Sequence, residues 1–365
     1  FITRSGVLES VHAFSESAVG PALLGFFAAI VVVSLGLIAW RGDELRSPGR
    51  IDSPVSRAGA FLANNVLFAA FAFVVLLGTV FPLIVEAVDG RTISVGNPYF
   101  DKMTMPIGFV LLFLMAIAPV LPWRKASSGV MSERLVVPAW IGVGAIVVAV
   151  LVGARGWAPL LAFGLGGFAG GAALRQVVLA TRRQGWRGLI GRTNGGMIVH
   201  LGVVLIAVAF AASNAYVRQD EFRLAPGQTA TFAGHELTYE GPDDRTYDNR
   251  TERRAAIRLD GGQVYEPGVA DYPFAGRRVG IPSVRSTLVD DVALSILEFP
   301  DGTDDVVLRV TVQPLIVWLW IGGGVMAAGT LLAVVPGRRR RPTAPVSAPV
   351  PEEPPRDRVP AEVGT

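Results

Sequence analysis

The sequence predicts an α-helical integral membrane protein of about seven transmembrane helices, with one extracytoplasmic β-rich domain inserted before the last helix. Three observations predict it. The 365 residues have a mean hydropathy of +0.46 and only 17% charged residues, values of multispanning membrane proteins rather than soluble globular ones. Apolar runs long enough to cross a bilayer recur at about 19–40, 59–83, 106–122, 137–154, 157–181, 196–214 and 314–336. Between the last two runs the pattern changes to short alternating stretches separated by turn signals, which is how strands read.

Charge orients the runs. The loops after the first, third, fifth and seventh carry Arg41, Arg46, Arg50 and Arg57; Arg124, Lys125 and Arg134; Arg182, Arg183, Arg187 and Arg192; and Arg338 to Arg341. The alternate short loops carry only Arg4, Arg91, Lys102 and Arg155. The positive-inside bias therefore predicts that the N-terminus and the β-rich domain lie outside and the C-terminus inside.

Taken in order, residues 1–18 read as an extracytoplasmic amphipathic segment. Arg4, Leu8 and His12 share one helical face, and Phe1, Val7, Val11 and Phe14 supply apolar anchoring. Residues 19–214 form a six-helix transmembrane region. Within it, Asn64 and Asn65 open the second span, and Glu86 lies near its outer end. The following loop, Ile93-Ser94-Val95-Gly96-Asn97-Pro98-Tyr99-Phe100, has the Gly and Pro of an ordered turn. Few residues separate the fourth and fifth spans, so they pair as an antiparallel hairpin. The fifth carries Gly164, Gly166, Gly167, Gly170 and Gly171, which permit close helix contact.

Residues 215–313 read as an extracytoplasmic β-rich domain of about six to eight strands, among them Thr229–Phe232 and Val306–Val312. Its 17 acidic and 11 basic residues give a net charge near −6, read as a solvated surface. Residues 314–336 form the last transmembrane helix, and 337–365 a cytoplasmic tail, basic and then Pro-rich and disordered.

Composition excludes several function classes. Without cysteine there is neither a disulfide nor a thiolate metal site, and any thiol chemistry must come from a partner. No catalytic triad or phosphate-cradling loop stands out. The Arg338–Arg341 run adjoins a span and fixes topology, so it does not indicate nucleic acid. The first residue is Phe1 and no signal sequence precedes the first span, so the chain reads as starting partway through a longer protein, or as one piece of a split one.

The chain has three histidines. His200 lies within the apolar run Gly195–Ile206, where an ionisable side chain marks a ligand, a proton route or a buried partner. Imidazole is a common axial ligand of haem iron. Three readings stay open for His200: a neutral ring hydrogen-bonded to a neighbouring helix, a cofactor ligand, or a proton relay. His12 sits at the outer interface, and His235, in Gly234-His235-Glu236, reads as a surface residue. With its span running outward from 196, His200 is roughly 6–9 Å from the inner end, hence on the order of 20 Å below the outer surface. The axial nitrogens of one iron are about 4 Å apart. His12 and His200 therefore belong to two sites, or to one site and a bystander.

Four motifs, in order, carry a resemblance to a known family. Thr3–Phe14, Ile93–Phe100, Gly195–Gly202 and Val310–Trp320 resemble the segment after the tryptophan-rich motif, an Ile-Ser-Val-Gly-x-Pro-Tyr-Phe loop, the haem-binding transmembrane segment and the start of the last helix of the cytochrome c maturation protein F family, CcmF. The resemblance runs from the first residue to about Gly337 and implies the C-terminal portion of a haem-lyase subunit of system I cytochrome c biogenesis. It implies that haem arrives on the chaperone CcmE and is joined through its vinyl groups to the two thiols of Cys-x-x-Cys-His in apocytochrome c. The thiols would be handled by CcmH- and CcmI-type subunits.

By the same resemblance, His12 is one of two external histidines holding the incoming haem, and so a catalytic residue. His200 is one of two transmembrane axial ligands of a resident haem b. The tryptophan-rich motif and both partner histidines are absent from this sequence, and in the family they belong to the N-terminal half of CcmF. Two other functions remain as alternatives: a proton-coupled membrane transporter subunit with His200 as relay, and a non-catalytic scaffold that docks the haem chaperone.

Overall fold

A computed structural model describes residues 19–44, 53–91, 93–122, 128–273 and 277–335. His12, with the rest of the amphipathic segment, and the tail after Val335 lie outside the described residues.

Seven α-helices follow one another: α1 (Val19–Arg41), α2 (Arg57–Asp89), α3 (Asn97–Ile117), α4 (Ser128–Leu151), α5 (Trp157–Gln184), α6 (Arg192–Ala215) and, after the β domain, α7 (Ile316–Val334). Six of them, α2 to α7, contain a stretch long and apolar enough to cross a membrane, and α1 adds the apolar stretch Gly25–Arg41. The chain is a membrane protein. Two helices begin well before their apolar runs. α3 starts at Asn97 with Pro98 in its first turn, and α4 starts at Ser128. In both, a polar first turn conceals the start from a hydropathy reading, although proline at that position is preorganised for a helix. The Ile93–Phe100 loop is thus extended only to Gly96, and its second half is the start of α3.

Glycines set the helix spacing. A Cβ on Gly167 would lie 2.8 Å from Cβ of Ala145, one on Gly171 2.9 Å from Cδ1 of Ile141, and one on Gly166 2.5 Å from Cγ2 of Val208. The small-residue faces of α5 therefore receive α4 on one side and α6 on another, as the glycine content of that span predicts. α6 and α7 approach still more closely. A Cβ on Gly195 would stand 2.5 Å from the Ala333 nitrogen, one on Gly202 2.6 Å from the Gly322 carbonyl, and one on Gly329 2.7 Å from the Val199 nitrogen. The Gly191 N–H, donating to the Leu332 carbonyl at 2.9 Å, ties the start of α6 to the end of α7.

The β domain has ten strands rather than six to eight: β1 (Arg218–Leu224), β2 (Thr229–Phe232), β3 (His235–Tyr247), β4 (Arg250–Leu259), β5 (Val264–Tyr265), β6 (Gly268–Tyr272), β7 (Arg277–Ile281), β8 (Ser283–Ser286), β9 (Asp290–Glu298) and β10 (Val306–Pro314). The extra strands are short, and β5 has only two residues, too few to show alternation. One antiparallel sheet runs β1-β10-β9-β8; the other runs β2-β3-β4-β6-β7, with β5 paired to β4. Strict alternation along β10 buries Val306, Leu308, Val310 and Val312 against Val292 and Leu294 of β9 and Leu237, Tyr239 and Ile257 of the second sheet. Burial pushes the Tyr239 phenol up to about 12, and its hydroxyl donates to the Asp304 carbonyl at 2.9 Å.

Many of the domain's charges are paired internally. Glu252, buried, accepts from Arg250 at 2.6 Å and Arg254 at 2.9 Å, and these hydrogen bonds hold its carboxyl below the usual range. Arg245 bridges Asp243 and Glu266, and Arg309 pairs with Glu221 across β1 and β10. Many of the carboxylates thus belong to a bonded network, while the net excess of acidic over basic residues remains.

Candidate functional site

His200 lies in the third turn of α6. Because the helix begins at Arg192 rather than 196, the ring sits about 12 Å along it from that end and roughly 22 Å from Ala215. It is deeper in the helix than the apolar run implied.

Three faces of α6 have three uses. Gly195, Val199 and Gly202 meet α7. Met197, Leu201 and Val204 meet α5, packing with Ala173 and Val177 or with Ala169 and Ala172. The remaining face carries Gly196, His200, Val203 and Ala207 at i, i+4, i+7 and i+11 spacing. A Cβ on Gly196 would meet nothing within 4 Å, so open space lies one turn from the imidazole.

Nδ1 of His200 is buried and has no hydrogen-bond partner. A buried polar nitrogen without a partner is destabilising, and such groups are rare. The first of the three sequence readings, a ring satisfied by a neighbouring helix, does not describe this geometry at Nδ1. Among the described residues no three His, Asp or Glu side chains gather as a metal-ion site. One imidazole beside open space would supply a single bond, and such a donor suits a metal whose remaining ligands come from a macrocycle.

The other motifs have structural work at the β-domain end. Tyr99 and Phe100, edge-to-face at 5.2 Å, pack over Gly78 of α2, where a Cβ would lie 2.5 Å from the Tyr99 ring. The Tyr99 hydroxyl donates to the Val74 carbonyl at 3.1 Å. In Val310–Trp320 the chain turns from β10 into α7 at Leu315, a non-glycine residue at φ 61°. That strained conformation is held by the Leu315 N–H donating to the Val289 carbonyl at 2.9 Å and by the Trp318 indole N–H donating to the Leu288 carbonyl at 2.9 Å.

The chain's similarity to known proteins decides the family. No protein-family profile matches the chain. Over 353 residues, 93% of this chain, it is 30% identical to "Cytochrome c-type biogenesis protein CcmF" of Pseudomonas aeruginosa, and over 379 residues 31% identical to "Cytochrome c-type biogenesis protein CycK" of Rhizobium meliloti. A solved structure, "Cytochrome c Heme Lyase CcmF", superposes with a TM-score of 0.70 at 29% identity over 87% of this chain. The chain belongs to the CcmF family. It spans about half the length of the relatives it matches, 53% of both sequences and 50% of the solved chain.

Within this CcmF-family chain, His235 was missed as a structural centre. It reads as a surface residue, yet its side chain is only 13% exposed. Arg285 donates to Nδ1 at 2.9 Å, Asp290 lies 3.1 Å from Nε2, and Asp260 lies 3.1 Å from Nδ1. Burial pushes the Asp260 carboxyl up, but the Glu236 N–H, Arg285 and His235 outweigh it and hold the group at about 2. The partners are 25 to 55 residues away in sequence, so only an i-to-j pairing of strands brings them together. This cluster fastens the β2–β3 hairpin to the β8–β9 turn that supports α7.

Proposed function

We propose that this chain supplies part of a haem lyase of cytochrome c biogenesis, with His200 as one axial ligand of a resident b-type haem. The observation that carries the reading is the unpartnered Nδ1 of His200 beside the open space at Gly196, in a chain of the CcmF family. The residues present fit such a group: one imidazole, a neighbouring position without a side chain, and no other donor cluster among the described residues. When bound, that haem would supply one-electron reduction. The chain's own part is to orient the imidazole, through the rigid glycine contacts of α6 with α7, and to exclude water around it.

The incoming haem is a substrate, delivered by CcmE and held in part by His12. Joining it to apocytochrome c adds each thiol S–H of Cys-x-x-Cys-His across a vinyl double bond, forming a thioether with no atom lost. The absence of cysteine leaves this chain no thiol to compete with those of the substrate, which CcmH- and CcmI-type subunits would present. The haem's second protein ligand would, in this reading, come from the part of the relatives' length that this chain does not span. In this reading the β domain faces outward from the bacterial inner membrane and the Arg-rich loops face inward, by the positive-inside bias.

The test is haem content and spectrum. His200→Ala in the assembled complex should lose the resident haem, read as the pyridine haemochrome per protein, while His12→Ala keeps it and blocks maturation of a reporter cytochrome c. Normal haem content and normal maturation in both variants would refute the assignment.

A further inference from the structure

We infer that the groove formed by α4, α5 and α6 beneath the β domain binds one anionic phospholipid. The groove arises from the glycine packing itself. α4 and α6 each seat on α5 through Gly167 and Gly166, and these two glycines also line the floor between them. The space is about 1040 Å³, walled by aliphatic groups such as Val148 of α4 and Val208 of α6 and roofed by Val289 of the β8–β9 turn. Its mouth is apolar: Val148 is 60% exposed and Val152 83%. An apolar, laterally open space of this size at leaflet depth takes acyl chains.

The occupant's charge is set at the β-domain end. Arg218 lines the groove there and has no carboxylate partner among the described residues, whereas Arg223 and Arg309 on the same sheet are each paired. Arg155, in the α4–α5 turn, is held at the same rim because the Tyr216 hydroxyl accepts from its N–H at 3.1 Å and donates to its carbonyl at 2.7 Å. Its guanidinium donates to the backbone carbonyls of Val150 and Ala154 and meets no carboxylate among the described residues. The Arg218 guanidinium above an apolar slot, with Arg155 nearby, matches a phosphodiester with two chains below it. A neutral apolar helix would fill the slot and leave Arg218 without a counter-charge. The inference needs only the membrane location, not the haem assignment.

Native mass spectrometry tests it, on the full chain extracted from membranes and equilibrated in micelles containing equal dioleoylphosphatidylglycerol and dioleoylphosphatidylcholine. One phosphatidylglycerol should be retained about tenfold over phosphatidylcholine, the ratio expected of a charge-assisted hydrogen bond. Arg218→Glu should abolish the preference while phosphatidylcholine is still retained, and Val148→Trp, an exposed position, should lower both. A photo-crosslinking residue at Val152 in membranes should form a phospholipid adduct. Equal retention of the two lipids, retention unchanged by Val148→Trp, or a polypeptide or isoprenoid quinone captured at Val152 would overturn the proposal.

Discussion

The helical region and the β domain solve the packing problem in opposite ways. The β domain buries large aliphatic side chains between two sheets and bonds its charges to one another: Leu237, Leu294 and Leu308 have no exposed surface, and Glu252 is bonded by two arginines. The helices bring backbones together through glycine and leave long stretches of valine, leucine and phenylalanine outward. In lipid, association gains little from burying apolar surface, so close van der Waals contact replaces it. The two histidines differ in the same way: Nδ1 of His200 in α6 has no hydrogen-bond partner, whereas both ring nitrogens of His235 in the β domain face polar side chains. The unpartnered imidazole within a membrane span carries the proposal that His200 is a ligand, whereas the bonded ring of His235 joins strands.

That contrast can be broken in a graded series. Leu308→Ala should cost the β domain about 2–5 kcal/mol, since it opens a cavity in a core with no slack. Chemical denaturation followed by circular dichroism measures the loss, and a change within error would mean that the sheets do not share one core. In the helices, enlarging rather than truncating should do the damage. Gly202→Val should destabilise the α6–α7 pair by about 1–3 kcal/mol, because even a Cβ would lie 2.5 Å from Met326 and 2.6 Å from the Gly322 carbonyl. Thermal unfolding in micelles should place Gly202→Val well below the unaltered chain.

Gly196→Leu separates packing from function on the same helix. Nothing lies within 4 Å of the added Cβ, so thermal stability should hold while haem content falls severalfold. A stable variant with full haem content would show that the open face is not where the haem sits. The smallest effect concerns acid. Asp260 is held at about 2 in the folded chain against an ordinary value of 3.8. Its folded value is depressed, so its contribution is fully present above about pH 4 and is lost as the pH falls towards 2. Asp260→Asn should therefore lower the unfolding temperature at neutral pH, and the gap from the unaltered chain should close in that acid window.

Much of the helical region is legible in the sequence because lipid imposes a one-dimensional rule: a span must be apolar over a fixed length. α5 shows it, beginning at Trp157 in both the apolar run and the structure. α3 and α4 show its limit, since their polar first turns carry no hydropathy signal. The candidate ligand His200 is equally legible, since an imidazole in an apolar run is conspicuous without any partner. His235 is not, since its meaning lies in Asp260, Arg285 and Asp290, which strand pairing alone collects. Nor is the division of labour within Gly195-Gly196-Met197. The sequence by itself determined the membrane helices, the β-rich insertion and the ordered motifs, because span length, period-two alternation and residue identity are local properties. Only the tertiary structure decided which glycine faces α7 and which faces open space, because that depends on which helix packs against which face.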